Sequence, residues 1–172
     1  KKYFNKKTFV ISIDDFYKTI KERYKLSKNV HPLLQTRGVP GTHDVKIILN
    51  FFRKLNTNNF KLISLPKFDK SIDDRFKKNK WYKLKKKPDI VILEGWCVGA
   101  RPQKNKQLIQ PVNLMEKNED TSAKWRKYVN FQLKTKYKKL YSKLASVIYL
   151  KTQSFNLLRS WRIKQERKLK TK

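Results

Sequence analysis

The chain is 172 residues long, one domain's worth of polypeptide and enough to bury a hydrophobic core. A hydrophobic fraction of 38% with four tryptophans and ten phenylalanines excludes a disordered chain. The formal charge of +31 is large, but only nine of the 44 basic residues are arginine and the lysines are spread along the whole chain. Such a charge reads either as solvated surface or as a footprint for nucleic acid or another polyanion, and it does not speak to the fold. There is no apolar run of about 18 residues, hence no candidate membrane-spanning helix. The lysine-rich start is followed only by the short run Thr8–Ile13, so no secretory signal is read there. A single cysteine, Cys97, excludes a disulfide framework and suits a reducing, cytoplasmic compartment.

In chain order, residues 8–13 (TFVISI) predict a buried strand that exits on Asp14-Asp15. Residues 16–26 predict a helix with Phe16, Ile20 and Tyr24 on one face. After His31-Pro32 comes the loop 35–44, QTRGVPGTHD, which holds Gly38, Pro40 and Gly41 and so calls for special backbone geometry. It runs into a helix with apolar positions at Val45, Ile48, Phe52 and Leu55, for which Thr42 is the expected N-cap and Asp44 suits the positive end of the dipole. A short strand is expected at 62–65, ended by Pro66, and an exposed lysine-rich connection at 77–87. Residues 90–93 (IVIL) are too short for a helix and too uniformly apolar for a half-exposed strand, so they predict a strand buried on both faces that exits on Glu94. A polar loop to Pro111 is followed by a long helix over about 122–144. A third buried strand is read at 146–150, and a last amphipathic helix at 154–170 with Phe155, Leu158 and Trp161 beside Arg159 and Arg162. Strands separated by helices predict an α/β fold with a parallel sheet.

In such sheets ligands bind beyond the carboxyl ends of the strands, which places Asp14 and Glu94 at the edge of a site. Asp14 could accept a proton from a hydroxyl or hold Mg²⁺, or simply cap a helix. Glu94 could be a magnesium-side carboxylate or only an acid that ends a strand. Loop 37–44 precedes a helix N-terminus and carries Arg37 and His43, so it reads either as an anion site or as a rigid turn. Lys67, Asp69, Asp73, Asp74 and Arg75 could hydrogen-bond a polyol or form surface ion pairs. Arg101 could reach a carboxylate or phosphate. Arg159 and Arg162, three apart on a helix, could clamp phosphoryl oxygens or lie on an exposed basic face. Cys97 reads as a small buried residue rather than a nucleophile, and two histidines with one cysteine are too few for a zinc site.

The segments SIDDFY (12–17), LLQTRGVPGTHD (33–44), LPKFDKSIDDR (65–75), ILEGWCVGARPQ (92–103), WRKYVN (125–130) and WRIKQE (161–166) occur in this order. They resemble the D-glycerate 3-kinase family of P-loop kinases, related to phosphoribulokinase, uridine kinase and pantothenate kinase, over nearly the whole chain. The resemblance implies a three-layer parallel sheet with helices on both faces, and phosphorylation of a glycerate-like anion by ATP with Mg²⁺. It implies Asp14 as catalytic base and magnesium ligand, and Glu94 at the Walker-B-like magnesium position. Tyr17, Arg37, His43, Asp44, Lys67, Asp69 and Arg101 fall on the acceptor side, and Arg159 and Arg162 on a lid over the phosphates, Arg162 as a catalytic residue beside Asp14. The motif G-x-x-x-x-G-K-[ST] occurs nowhere in the chain. Residues 1–172 are therefore expected to be one kinase domain without its Walker A loop and final strand, inactive alone. A different acceptor within the superfamily, or a non-catalytic nucleotide- or nucleic-acid-binding role, are the competing expectations.

Overall fold

The computed structural model describes residues 5–152 and 154–170. Strand β1 (Thr8–Ser12) pairs in parallel with β6 (Ile90–Glu94), with Val10 opposite Ile92 and Ser12 opposite Glu94. Parallel strands need a crossover, and here it is the long excursion through α1 (Ile20–Asn29), α2 (Val45–Leu55) and the 63–84 region. Both carboxyl ends lie at the same edge, so Asp14 and Glu94 leave the sheet side by side. At Gly95 (φ +152°) a Cβ would collide with Ile13, so glycine lets the two exits approach.

The core lies on one face of this pair. Ile11, Ile13 and Phe16 meet Val45, Ile48, Phe51 and Leu55 of α2, together with Ile63, Leu65 and Cys97. The helical run α4 (Lys124–Gln132), a π turn (Leu133–Tyr137) and α5 (Lys138–Tyr141) adds Leu133, Tyr137 and Leu140. Each such apolar side chain contributes about 1.5–3 kcal/mol when fully buried. Helix α2 forms where its apolar spacing placed it. The cysteine is buried as expected, and burial pushes its thiol up to about 11.

Several expectations are corrected. Strand β6 is not buried on both faces: Ile90 and Ile92 are 44% and 47% exposed, because among the described residues nothing covers that face of the sheet. The helix expected over 16–26 starts at Ile20, behind a 3-10 turn (Ile13–Phe16), because Thr19 and Glu22 form a capping box. Its buried face holds Arg23 and Ser27, while Ile20 and Tyr24 are exposed, since Arg23 is drawn inward by carbonyl acceptors. Thr42 does not cap α2. Asp44 stands at the N-cap, and the Thr42 hydroxyl donates to the Val39 carbonyl at 2.7 Å, closing the loop on itself.

Strand β2 (Ile63–Leu65) pairs antiparallel with β5 (Tyr82–Leu84), so the 77–87 connection carries a strand and β2 stands outside the parallel pair. A small ladder joins β3 (Phe68–Asp69) to β4 (Asp74–Arg75). The polar stretch before residue 122 contains α3 (Leu114–Glu119). Residues 146–150 form no strand: Ile148, Tyr149 and Leu150 are more than 80% exposed, without a ladder partner among the described residues. Helix α6 (Phe155–Lys170) is present, with Leu158 and Trp161 exposed; the side chain of Phe155 lies outside the described set. No helix among the described residues is long and apolar enough to cross a membrane.

Candidate active site

The two acids after β1 divide their work. Asp15 turns inward: it accepts the Phe68 N–H at 3.1 Å and is pushed up by burial, so it anchors the 67–70 segment across the strand exit. Asp14 stays partly open. Its Oδ1 accepts the Tyr17 hydroxyl at 3.1 Å and its Oδ2 accepts Lys70 Nζ at 3.0 Å. Neither acid caps α1, because Thr19 does. Glu94 is exposed one strand away, level with Ser12.

Loop 36–44 is stitched to the same exit by its backbone. Lys18 N–H donates to the Thr42 carbonyl at 2.8 Å and Asp44 N–H to the Phe16 carbonyl at 2.7 Å. This brings His43 flat against Tyr17, ring centroids 4.3 Å apart and 20° from parallel. His43 is 2% exposed. Its Nδ1 lies 2.6 Å from the Tyr137 hydroxyl, which also accepts the Gly41 N–H at 3.0 Å. Nε2 is buried without a partner among the described residues. Gly41 (φ +107°) is required here, since a Cβ would come within 2.6 Å of Tyr128 Cε1. Burial pushes both tyrosine hydroxyls up and the imidazole down to about 4.

The histidine shift has a stability consequence. An unfolded histidine titrates near 6.5, so as pH falls the unfolded state takes up a proton before folded His43 does. Stability from keeping His43 neutral is complete above about pH 6.5 and is lost progressively towards pH 4, by ~3 kcal/mol at most. Urea midpoints at pH 7 and pH 5 are expected to show this loss in the wild-type chain, and His43→Gln is expected to flatten it.

Arg37 of the loop pairs with the Asp73 carboxylate and stacks 5.5 Å over the Phe68 ring. Arg23, 1% exposed, holds the other Asp73 oxygen at 2.9 Å, while Asp73 takes a left-handed φ of +56°. Asp44 faces Arg75 at 3.4 Å, and Arg75 Nε donates to the Tyr17 carbonyl at 2.6 Å. Arg37 and Asp44 thus brace the loop against the 73–75 segment. Lys67 lies over the Phe76 and Tyr82 rings, and Asp69 accepts from the Ser71 amide and hydroxyl. Arg101 is exposed beyond the β6 loop, and Arg159 and Arg162 are exposed on α6. Lys70, Tyr137, Arg23 and Trp96 were not singled out from sequence. Lys70 is the lysine after KFD, next to Asp69, and Tyr137 falls within the helix expected over about 122–144.

Trp96 donates from Nε1 to the Gly38 carbonyl at 3.1 Å and is 68% exposed. It lines a groove of about 340 Å³ together with Val39, Pro40, Trp125 and Val129. Among the described residues no three His, Cys, Asp or Glu side chains cluster as a metal cage. Magnesium is commonly held by one or two carboxylates with phosphate oxygens and water. Asp14 and Glu94, at the exits of neighbouring strands, are the carboxylates that would hold such an ion, which would there neutralise charge on a transferring phosphoryl group.

Parallel strands that end in acids at one sheet edge, beside a braced glycine loop at a helix N-terminus, form the α/β architecture of a P-loop kinase. No family model matches the chain. It is 34% identical over 176 residues to the uncharacterized kinase mug58 of Schizosaccharomyces pombe, covering 98% of this chain and 62% of that protein. It is 41% identical over 101 residues to the probable ATP-dependent kinase TDA10 of Saccharomyces cerevisiae, covering 53% of this chain and 34% of that one. The solved structure of D-glycerate 3-kinase from Cryptococcus neoformans matches with a TM-score of 0.79 at 27% identity, over 99% of this chain and 62% of that chain. In sequence and in fold the chain is thus similar to kinases, among them a D-glycerate 3-kinase, and its fold is that of the P-loop kinases. It spans less than two thirds of the length of these relatives.

Proposed function

We propose that this chain carries the acceptor side of an ATP-dependent, cytoplasmic kinase that phosphorylates a small hydroxy acid, D-glycerate, to 3-phosphoglycerate. The observation that carries the reading is Asp14 at the carboxyl edge of β1, with one oxygen fixed by Tyr17 and the other by Lys70. A carboxylate so held can accept the proton of an acceptor hydroxyl as it attacks a phosphoryl group. Lys70 and Arg37 supply positive charge for an anionic acceptor, Lys70 by leaving Asp14 for it and Arg37 from its stack on Phe68. Tyr17, His43, Asp44 and Arg75 hold the geometry, Arg101 is assigned to the acceptor side, and Arg159 and Arg162 are assigned to closure over the phosphates. The chain's own residues include no phosphate loop of the G-x-x-x-x-G-K-[ST] type. Turnover is therefore assigned to a protein in which this chain is joined to such a loop, called the longer protein below.

Coupled ADP-release assays of the longer protein with D-glycerate, pantothenate and uridine test the acceptor. D-glycerate is expected to give the highest kcat/KM, and a preference for either other compound would overturn the assignment. The 172-residue chain alone is expected to give no measurable turnover; rates of about 1–100 s⁻¹, ordinary for kinases, would overturn that division of labour.

A further inference from the structure

The helical run after residue 123 changes pitch over the five residues Leu133–Tyr137, which form a π turn. Such turns inside α-helices recur at functional sites because they re-aim a side chain. Here the turn ends on Tyr137, which is 0% exposed and reaches out of its helix to loop 37–44.

A phenol has one proton to give. The Tyr137 oxygen already accepts the Gly41 N–H at 3.0 Å, and His43 Nδ1 lies 2.6 Å away. If Nδ1 carried the imidazole proton, the phenol proton would have no acceptor and Nε2 no donor, leaving two buried groups unmatched. If the phenol donates to Nδ1, only Nε2, which has no partner among the described residues in either tautomer, is left unmatched. Fewer unmatched buried groups is the cheaper arrangement. The ring so held is the surface on which Tyr17 stacks, and the Tyr17 hydroxyl is what holds Asp14 Oδ1.

We infer that Tyr137 is a positioning residue for Asp14: it fixes His43 as the neutral Nε2–H tautomer, and through the stacked Tyr17 it sets the direction of the Asp14 carboxylate. The inference rests on the reading of Asp14 as the base, but its first test does not. The chain has two histidines, so ¹⁵N-histidine labelling gives two ring systems, told apart with His31→Gln. The wild-type chain is expected to show His43 with a protonated Nε2 and a bare, hydrogen-bonded Nδ1. In Tyr137→Phe that tautomer is expected to be lost or mixed while His31 is unchanged. A protonated Nδ1 in the wild type, or an unaltered His43 in Tyr137→Phe, would overturn the inference.

The second test uses the longer protein. Tyr137→Phe is expected to lower kcat about tenfold, a part of the hundredfold that a misplaced catalytic group can cost, with the KM for ATP unchanged. Tyr17→Phe is expected to lower it at least as much, and the double variant no further than Tyr17→Phe alone, because both act along one path. Additive losses would place Tyr137 in packing only and overturn the inference. If Tyr137→Phe does not fold, the wild-type tautomer decides. Absence of any turnover in the wild-type longer protein would count against the kinase reading, whereas the tautomer would still stand or fall by itself.

Discussion

Replacing Asp14 by asparagine in the longer protein is expected to lower kcat by about 10²–10⁴-fold, the range a positioned acid–base group contributes. The substitution is a narrow one. Asparagine keeps an oxygen to accept the Tyr17 hydroxyl, now at 3.1 Å, so the Tyr17–His43 stack has no reason to move. What is lost is the proton acceptor and the ion pair with Lys70, whose side chain is 57% exposed. An exposed pair of this kind contributes about 0–1 kcal/mol to stability. The thermal midpoint is therefore expected to stay near the wild-type value, which separates a chemical defect from a folding one. Equal losses in kcat and kcat/KM would mark an interaction made in the transition state. Unchanged turnover would remove Asp14 as the base and with it the observation on which the proposed function rests.

The largest stability effect is expected at Arg126, far from that chemistry in role. This guanidinium is 6% exposed and donates to the carbonyls of Leu108, Glu116 and Asp120. It also lies 3.3 Å from the Asp120 carboxylate and 3.7 Å from that of Glu116, both acids being buried. Asp120 in turn accepts the N–H groups of Trp125 and Arg126, so it caps the start of α4. Arg126→Met keeps the bulk of the side chain but leaves two buried carboxylates without their counter-ion and several carbonyls without their donor. Breaking a buried pair from one side costs about 3–5 kcal/mol. Urea unfolding is expected to show that loss as a lower midpoint with an unchanged slope. Arg126→Lys is expected to fall between the two, since an ammonium returns the charge without the planar fork that spans several acceptors. A midpoint for Arg126→Met within about 0.5 kcal/mol of wild type, the usual range of surface substitutions, would show that these carboxylates find other partners.

Both residues bear on what the sequence made legible. Helix α2 could be read because its pattern at Val45, Ile48 and Leu55 is local and repeats with the helical period. Strands β1 and β6 could be read from short apolar runs that end on acids, and their parallel pairing from the helices between them. Asp14, Tyr17, Arg37 and His43 were named from their motifs, and the fold gathers them within one loop-and-strand-exit cluster. The 146–150 run failed as a strand for the complementary reason: β-pattern states what a segment could pair with, whereas a strand exists only where a partner supplies its ladder. Helix α1 failed at its face because periodicity counts apolar side chains, while Arg23 is buried by acceptors 12 and 50 residues away.

By itself, then, the sequence determined the class of fold, the two strand exits that carry acids, the glycine loop and the helix behind it, all features set by neighbours within a few residues. The tertiary structure alone decided which acid faces the site and which anchors Phe68, that Lys70 and Tyr17 share Asp14, that Arg37 is tied to Asp73, and that Tyr137 reaches His43 across 94 residues of chain. Those choices depend on hydrogen-bond geometry and burial between distant segments, where a few tenths of an ångström and one proton decide the partner, and no local pattern encodes either.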